Sequence, residues 1–329
     1  MFFCLLLVLP LVVYGNVQYR FNEWVQRFEM KFNNDFHRQR VFSNWLENDK
    51  HIDTVNGMNL SYTLGHNHFS GFNMDEFREY VGLVPIGLSD NNNHIIDTHK
   101  VEVASSVNWV EKGGVTDVKD QGQCGSCWSF STTGALEGAY YVKYNKLVSF
   151  SEQQLVDCDN FKHGGKDHGC NGGLMDNAFN WIETNNGLCS EDSYPYVSGT
   201  TKTAGDCQTT CDNLEDSKIN KFIDVKKSDD TAMMTALTQQ PVSIAIEADQ
   251  KDFQLYQSGV FTGTCGTGLD HGVLAVGYGS DSGEEYYLVK NSWSSSWGDN
   301  GYIKLGKGVQ YNNGDGQCGL LLQASYPEV

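Results

Sequence analysis

Gln121-Gly122-Gln123-Cys124-Gly125-Ser126-Cys127-Trp128 is the stretch on which the reading of this chain turns. Its glycines and small polar residues make a tight approach to a helical pattern, with Trp128, Ala135, Leu136, Ala139 and Val142 on one face. Cys127 therefore sits at or near the first turn of a helix, where unpaired N–H groups and the helix dipole favour negative charge. Thiolate is the reactive form of cysteine, and a helix N-terminus lowers the thiol pKa. The octapeptide describes a nucleophile. Taken alone it also fits a Cys-x-x-Cys redox pair, half of a zinc site, or two members of a disulfide framework.

A chain of 329 residues is long enough for a sizeable core in two layers or lobes. Its net charge of -18 argues against nucleic acid or an anionic membrane as partner, and suits a soluble protein of an acidic compartment. Ten cysteines point to an oxidising destination. The apolar residues 2–13, followed by Tyr14-Gly15, read as a secretory signal over residues 1–15, although no Lys or Arg precedes them. That run is short for a bilayer span, and no other segment is long and apolar enough for one.

Beyond it, Phe21, Trp24, Val25, Phe28 and Phe32 recur at helical spacing. A second helical pattern carries Val41, Trp45, Ile52 and Val55 and reaches Asn56-Gly57 as a stop. Residues 85–100 lose periodicity and become rich in Asn, Asp and His around Asn91-Asn92-Asn93, a linker composition of the kind proteases cut. From about Asn108 to Ser217 helices and loops dominate, with a helix expected over residues 174–183 after Cys170-Asn171-Gly172-Gly173. From about Ile219 onward β-rich stretches take over, at residues 242–246, 272–278, 286–290 and 301–305. Helices first and strands second make an α+β fold of two lobes, and pockets commonly lie between lobes.

Asp270-His271-Gly272 opens one of these strands, Lys290-Asn291-Ser292-Trp293 closes the next, and the turn-rich residues 280–285 lie between. In a hairpin the midpoint of positions 271 and 291 is residue 281, so antiparallel pairing sets His271 roughly opposite Asn291, on the same face. An orienting amide across the ladder, and a candidate nucleophile in the other lobe, single out His271 among nine histidines.

In combination these motifs resemble the papain/cathepsin family of cysteine proteases, in its cathepsin L-like preproenzyme form, from about residue 17 to the C-terminus. Cys124-Gly125-Ser126-Cys127-Trp128 is similar to the family's nucleophile motif, and Gln121 matches its oxyanion-hole glutamine. The segments around His271 and Asn291 look like its base and orienter. Trp45-x-x-Asn48-x-x-x-Ile52-x-x-x-Asn56 resembles the long-helix motif of the propeptides, with His37 and Val41 where that motif has glutamate and arginine. Gly65-x-Asn67-x-Phe69 resembles the second propeptide motif, with Gly71 in place of its aspartate, and Ser106-Val107-Asn108-Trp109 is similar to the start of a mature enzyme.

The resemblance implies a two-lobed papain-like fold with the cleft between a helical and a β-rich lobe, preceded by a mainly helical inhibitory propeptide. Residues 16–101 would be that propeptide and residues 102–329 the peptidase. It implies an endopeptidase, made as a zymogen and activated by propeptide removal at acid pH, in which a Cys127 thiolate attacks and a His271 imidazolium protonates the leaving amine. Asn291 would orient the imidazole, Trp293 would shield their hydrogen bond, and the Gln121 amide with the Cys127 N–H would face the oxyanion. By the same resemblance Gly173, Leu174, Met175, Ala245, Leu269, Gly272 and Trp293 contact substrate, with Gln323 at the base of an apolar pocket for the residue two positions before the cut (P2). Implied partners are protein and peptide substrates, the chain's own propeptide and cystatin-like inhibitors. A monomer is expected, with neither cofactor nor metal, in a lysosome, acidic vacuole or the medium.

Redox and zinc readings need none of Gln121, His271 or Asn291. A catalytically silent binding homologue would often have lost one of them. An exopeptidase would need a cleft-blocking insertion, for which residues 162–168 between Cys158 and Cys170 are modest. Asn59-Leu60-Ser61 is the sole glycosylation sequon.

Leaving aside Cys4 in the signal, nine cysteines remain, an odd count that leaves a thiol free, naturally Cys127. Counting does not settle connectivity, since eight cysteines allow about 105 arrangements. The resemblance suggests Cys124–Cys170, Cys158–Cys207 and Cys265–Cys318. Cys189 and Cys211 have no match in the family's common pattern and are expected to bond to each other. On the chain-entropy model a loop of ~22 residues would add roughly 3 kcal/mol.

Overall fold

In the computed structural model, which describes residues 8–82, 86–87, 103–211 and 213–329, the chain begins as two helices, α1 (Val8–Arg27) and α2 (Asp35–Asn56). They pack around Phe21, Trp24, Val41 and Trp45. Asn34 caps α2 by accepting from the His37 N–H. Phe28 and Phe32, expected on the stripe of the first helix, reach this small core from the reversal beyond it, because Glu29 takes a left-handed φ of 50° and ends the helical path. Strand β1 (Tyr62–Leu64) and helix α3 (Met74–Val81) follow, the latter started by an Asn73/Glu76 capping box. Asn59 lies in the exposed turn between α2 and β1. Residues 1–7 of the expected signal, most of the linker, and the boundary near Val101 lie outside the described residues.

The first lobe holds β2 (Val107–Asn108), α4 (Cys127–Tyr144), α5 (Glu152–Cys158), α6 (Met175–Asn185) and α7 (Ser198–Thr201). The second holds β3 (Lys221–Asp224), α8 (Asp230–Gln239), β4 (Val242–Ile246), α9 (Lys251–Gln254), β5 (Tyr256–Phe261), β6 (His271–Asp281), β7 (Glu284–Lys290), β8 (Tyr302–Gly306) and β9 (Ala324–Glu328). Its sheet runs β1-β5-β8-β7-β6-β4-β9-β3, with β2 added on β6. The N-terminal part therefore supplies an edge strand to the sheet of the second lobe.

Helix α4 is the axle. It packs against α5, α6 and the sheet, and every residue from Cys127 to Tyr140 is buried. Its buried hydroxyls are satisfied locally, Thr132 donating to the Trp128 carbonyl and Ser131 to the Val273 carbonyl of β6. A Cβ at Gly138 would meet the Pro241 ring at 2.5 Å, so the glycine permits the approach of the two lobes. Val142, expected on the buried face, is 48% exposed, because the C-terminal turn of the helix emerges from the core.

The β6–β7 hairpin turns at Ser282-Gly283, both at positive φ, with Asp281 opposite Glu284. A register shift between Ala275 and Gly277 then brings Leu274 opposite Lys290. His271 is thus not directly opposite Asn291. Its ladder partner is Ile246 of β4, and Asn291 lies one residue past the end of β7. The later turn centre alone would move the expected pairing by three positions, and the register shift takes one back, leaving an offset of two.

Disulfides join Cys124 to Cys170, Cys158 to Cys207, Cys189 to Cys211 and Cys265 to Cys318. Among the described residues Cys127 is the free cysteine.

Candidate active site

Ser126 stands at the N-cap of α4, yet its hydroxyl pairs with Tyr196 and leaves the helix without a side-chain cap. The backbone amides of Gly272 at the start of β6, Trp128 and Cys127 itself act on the Cys127 sulfur and favour its thiolate. Nε2 of His271 lies 2.8 Å from Asn291 Oδ1 despite the shifted register, since Asn291 folds back from the end of β7. The Trp293 indole stacks on the imidazole at 4.5 Å and 25°. His271 Nδ1 has no hydrogen-bond partner among the described residues, which leaves it as the ring atom that can exchange a proton.

Burial, not the helix dipole, dominates the electrostatics of this form. It pushes the Cys127 thiol up to about 11, against the lowering effect of the three amides, and the Asp270 carboxylate pushes the same way. It also pushes His271 down to about 4, against the opposing hydrogen bond to Asn291. In this form burial favours the neutral thiol and the neutral imidazole. The lowered thiol pKa expected from the helix start is not found in this form, because the sulfur is buried.

The roof has a specific fit. The Gln121 side-chain amide donates to the Val81 carbonyl at the end of α3, 2.9 Å, and to the Cys124 carbonyl, 3.0 Å, while its oxygen accepts from Ser292 Oγ. Gly82, at φ 64°, lies so close to Gly125 that a Cβ there would stand 2.5 Å from its Cα. Phe69 and Phe77 meet Trp293 edge-on at 5.5 and 5.3 Å. Polar contacts surround this apolar centre: Arg78 with Asp249 and Lys251 with Glu47, while His51 and Tyr62 both reach Asp252.

Several of the expected substrate contacts converge beside this roof. Ala245 pairs with Gly272 across β4 and β6, and a Cβ at Gly272 would lie 3.2 Å from the Met175 sulfur. The Ala245 N–H donates to the Gln323 carbonyl, and Leu269 accepts from the Ile86 N–H at 2.7 Å. Ile86 is buried and lines a cavity together with Gly173 and Leu174. Gln323 donates to Asp176, whose other oxygen accepts from Ser325, so a carboxylate lies one layer behind the pocket base.

Residues 103–328 match the family described as papain family cysteine protease. The chain belongs to that family. Residues 21–77 match the cathepsin propeptide inhibitor domain, so the roof is the propeptide of a papain-like zymogen. Among curated proteins, the KDEL-tailed cysteine endopeptidase CEP2 of Arabidopsis thaliana is 43% identical over 299 residues, covering 88% of this chain and 80% of that protein. Vignain of Ricinus communis is 43% identical over 300 residues, with the same coverage of 88% and 80%. The proform of Amb a 11, a ragweed pollen cysteine protease, superposes with a TM-score of 0.84 at 34% identity, covering 95% of this chain and 94% of that one. The chain is a papain-like cysteine peptidase, a hydrolase of the α+β two-lobed class.

Sequence reasoning missed Val81, Gly82 and Ile86, which follow the matched propeptide domain and reach Gln121, Gly125 and Leu269. Nothing local marks them, because their role is set by which residue the end of α3 delivers to Gln121. Ser292, inside the Asn291 motif, carries no local signal of a role, although its hydroxyl donates to the Gln121 side-chain oxygen and orients that amide.

Proposed function

We propose that the mature chain is an endopeptidase in which Cys127 attacks the scissile carbonyl, His271 protonates the leaving amine, Asn291 holds the imidazole, and Gln121 binds the oxyanion. The observation that carries this reading is the Gln121 amide, aimed at a carbonyl oxygen of the propeptide beside a helix-start cysteine. With the roof gone, water and the uncapped helix start favour thiolate and imidazolium. Attack joins sulfur to the carbonyl carbon, and the oxygen takes the charge within reach of Gln121. Collapse expels the amine with the His271 proton, and water then hydrolyses the acyl-enzyme. Trp293 keeps water from the His271–Asn291 bond. Gln121→Ala is expected to lower kcat about 100- to 1000-fold with KM little changed. Steady-state kinetics of the activated protein test this, and an unchanged kcat would remove Gln121 from the mechanism.

The same reading gives an apolar preference at P2. Ile86 is buried, donates its N–H to the Leu269 carbonyl and lines a cavity with Leu174, which supports an apolar pocket beside them. Gln323 fills the base with an amide, and the Asp176 carboxylate behind it is already engaged by Gln323 and Ser325. A peptide library should therefore be led by Leu, Ile, Val or Phe at P2, with Arg poorly accepted. A profile led by Arg would contradict the pocket assignment.

Residues 16–101 are taken as the inhibitory propeptide and 102–329 as the peptidase, released as pH falls. Four disulfides support an oxidising, secretory route. No described helix is long and apolar enough to cross a membrane.

A further inference from the structure

The loop between Cys158 and Cys170 stands out in a chain of net charge -18. Phe161, Lys162, His163, Lys166 and His168 are all exposed on it, so its outer surface is basic and aromatic. Two carboxyls lie beneath, Asp159 and Asp167, at 0% and 2% exposure and within hydrogen-bonding reach of each other. One oxygen of each is committed inward: Asp159 Oδ1 accepts from the Lys166 N–H, and Asp167 Oδ1 from the Leu174 N–H and the Asn177 amide. Neither Oδ2 has another partner among the described residues, which is the arrangement of two carboxyls sharing one proton. Burial, then the neighbouring Asp159 carboxylate, push Asp167 up to about 9. The acidic charge of the loop is thereby reduced, and its lysines dominate the outer face.

That face opens onto the cleft. Lys166, His168, Asn171, Leu174 and Asn177 line a cavity of about 210 Å³ together with Asp167, whose raised pKa favours its neutral form, and Ile86-Gly87 before the peptidase part lines it too. It shares Leu174 with the apolar P2 pocket. A substrate side chain entering it belongs to a neighbour of the P2 residue, and the other neighbour, P1, is the residue placed over Cys127. We propose that this cavity is a cationic subsite taking an acidic side chain, Asp or Glu, at the third residue before the cut, with Lys166 as the specificity-determining residue and His168 beside it. The proposal rests on the cleft reading given under Proposed function.

The test uses the full chain after activation and three fluorogenic peptides with one apolar P2 residue and Glu, Ala or Lys at the third position. For a partly exposed pair, kcat/KM is expected to favour Glu over Lys about fivefold at low salt. The ratio should fall toward one at high ionic strength. Lys166→Ala should lower it, and Lys166→Glu should invert it in favour of Lys, chiefly through KM. Cleavage of the alanine peptide reports that each variant is folded and active. Equal rates for Glu and Lys peptides in the unaltered protein, or a ratio untouched by Lys166→Glu, would overturn the subsite while leaving the peptidase reading intact. Failure of the unaltered protein to cleave any of the three would overturn the cleft reading and the subsite with it.

Discussion

Cys127→Ala is expected to abolish peptide hydrolysis, with a loss on the order of a millionfold, the scale seen when the nucleophile of a hydrolase triad is removed. The protein should still fold. Cys127 bears no disulfide, and its replacement deletes one sulfur from a site whose packing is carried by Trp128, Met175 and Trp293. The full chain should then accumulate with its propeptide attached, since no active copy is present to cut it. Purified variant assayed on a peptide substrate, alongside its mass before and after acid treatment, checks both statements. Activity comparable to the unaltered protein would mean that another group is the nucleophile.

Phe77→Ala should produce the second large effect, on inhibition instead of chemistry. Phe77 is fully buried and sits edge-on to Trp293, so its loss removes an aromatic anchor from the centre of the roof. Phe→Ala in a packed core costs about 3–5 kcal/mol, of which 3 kcal/mol in docking is roughly a hundredfold. The full chain should then leak activity at neutral pH and begin processing at a higher pH. The peptidase released from it should have an unchanged kcat/KM, which separates loosened docking from misfolding. A variant as silent at neutral pH as its parent would contradict the role of this contact.

The direction of the pH effect follows from the groups in the interface. Burial raises Asp252, but hydrogen bonds from His51 and Tyr62 more than offset this and leave its carboxyl below the usual range. A hydrogen bond from Lys251 likewise holds Glu47 low. Carboxyls with depressed values stabilise docking above their free pKa, near 4, and that contribution is lost as pH falls through the docked value. His68, packed on Phe69 and bonded to Ser296 of the second lobe, works in the same direction from higher pH. Burial pushes it down to about 4, so the undocked imidazole gains a proton first, and docking weakens progressively from about pH 6.5. Acid is therefore expected to loosen the propeptide over the range from about pH 6.5 to 4 and below.

Much of this was legible in the residues themselves. The helix start at Cys127, the helix after Cys170-Asn171-Gly172-Gly173 and the order of helices before strands are local patterns, set by spacing and by punctuating glycines. The partnership of His271 with Asn291 was legible only in outline. A midpoint rule assumes a symmetric hairpin, whereas the Ser282-Gly283 turn and the shift near Gly277 displace the register, and a folded-back Asn291 side chain restores the contact. The neutral state of Cys127 was not legible, because burial by a segment some forty residues earlier is a tertiary fact. The departures in the propeptide motifs gain a meaning in three dimensions. A Cβ at Gly71 would lie 2.6 Å from Val41 Cγ1 and 2.9 Å from Trp24, so two positions where the motifs carry charge meet here as an apolar contact.

Cys127 is expected to be held as a neutral thiol under the propeptide and to become a thiolate when uncovered. Alkylation of the full chain across pH 4 to 9, before and after propeptide removal, with the modified residue identified by mass spectrometry, tests it most directly. Before removal, labelling at Cys127 should be slow and rise only toward the alkaline end, as a buried thiol with a pKa pushed up to about 11 requires. After removal it should be fast and nearly flat from mildly acidic to neutral pH, with Cys127 the residue modified. Equal labelling rates in the two forms, or rapid labelling at a different cysteine, would contradict the account.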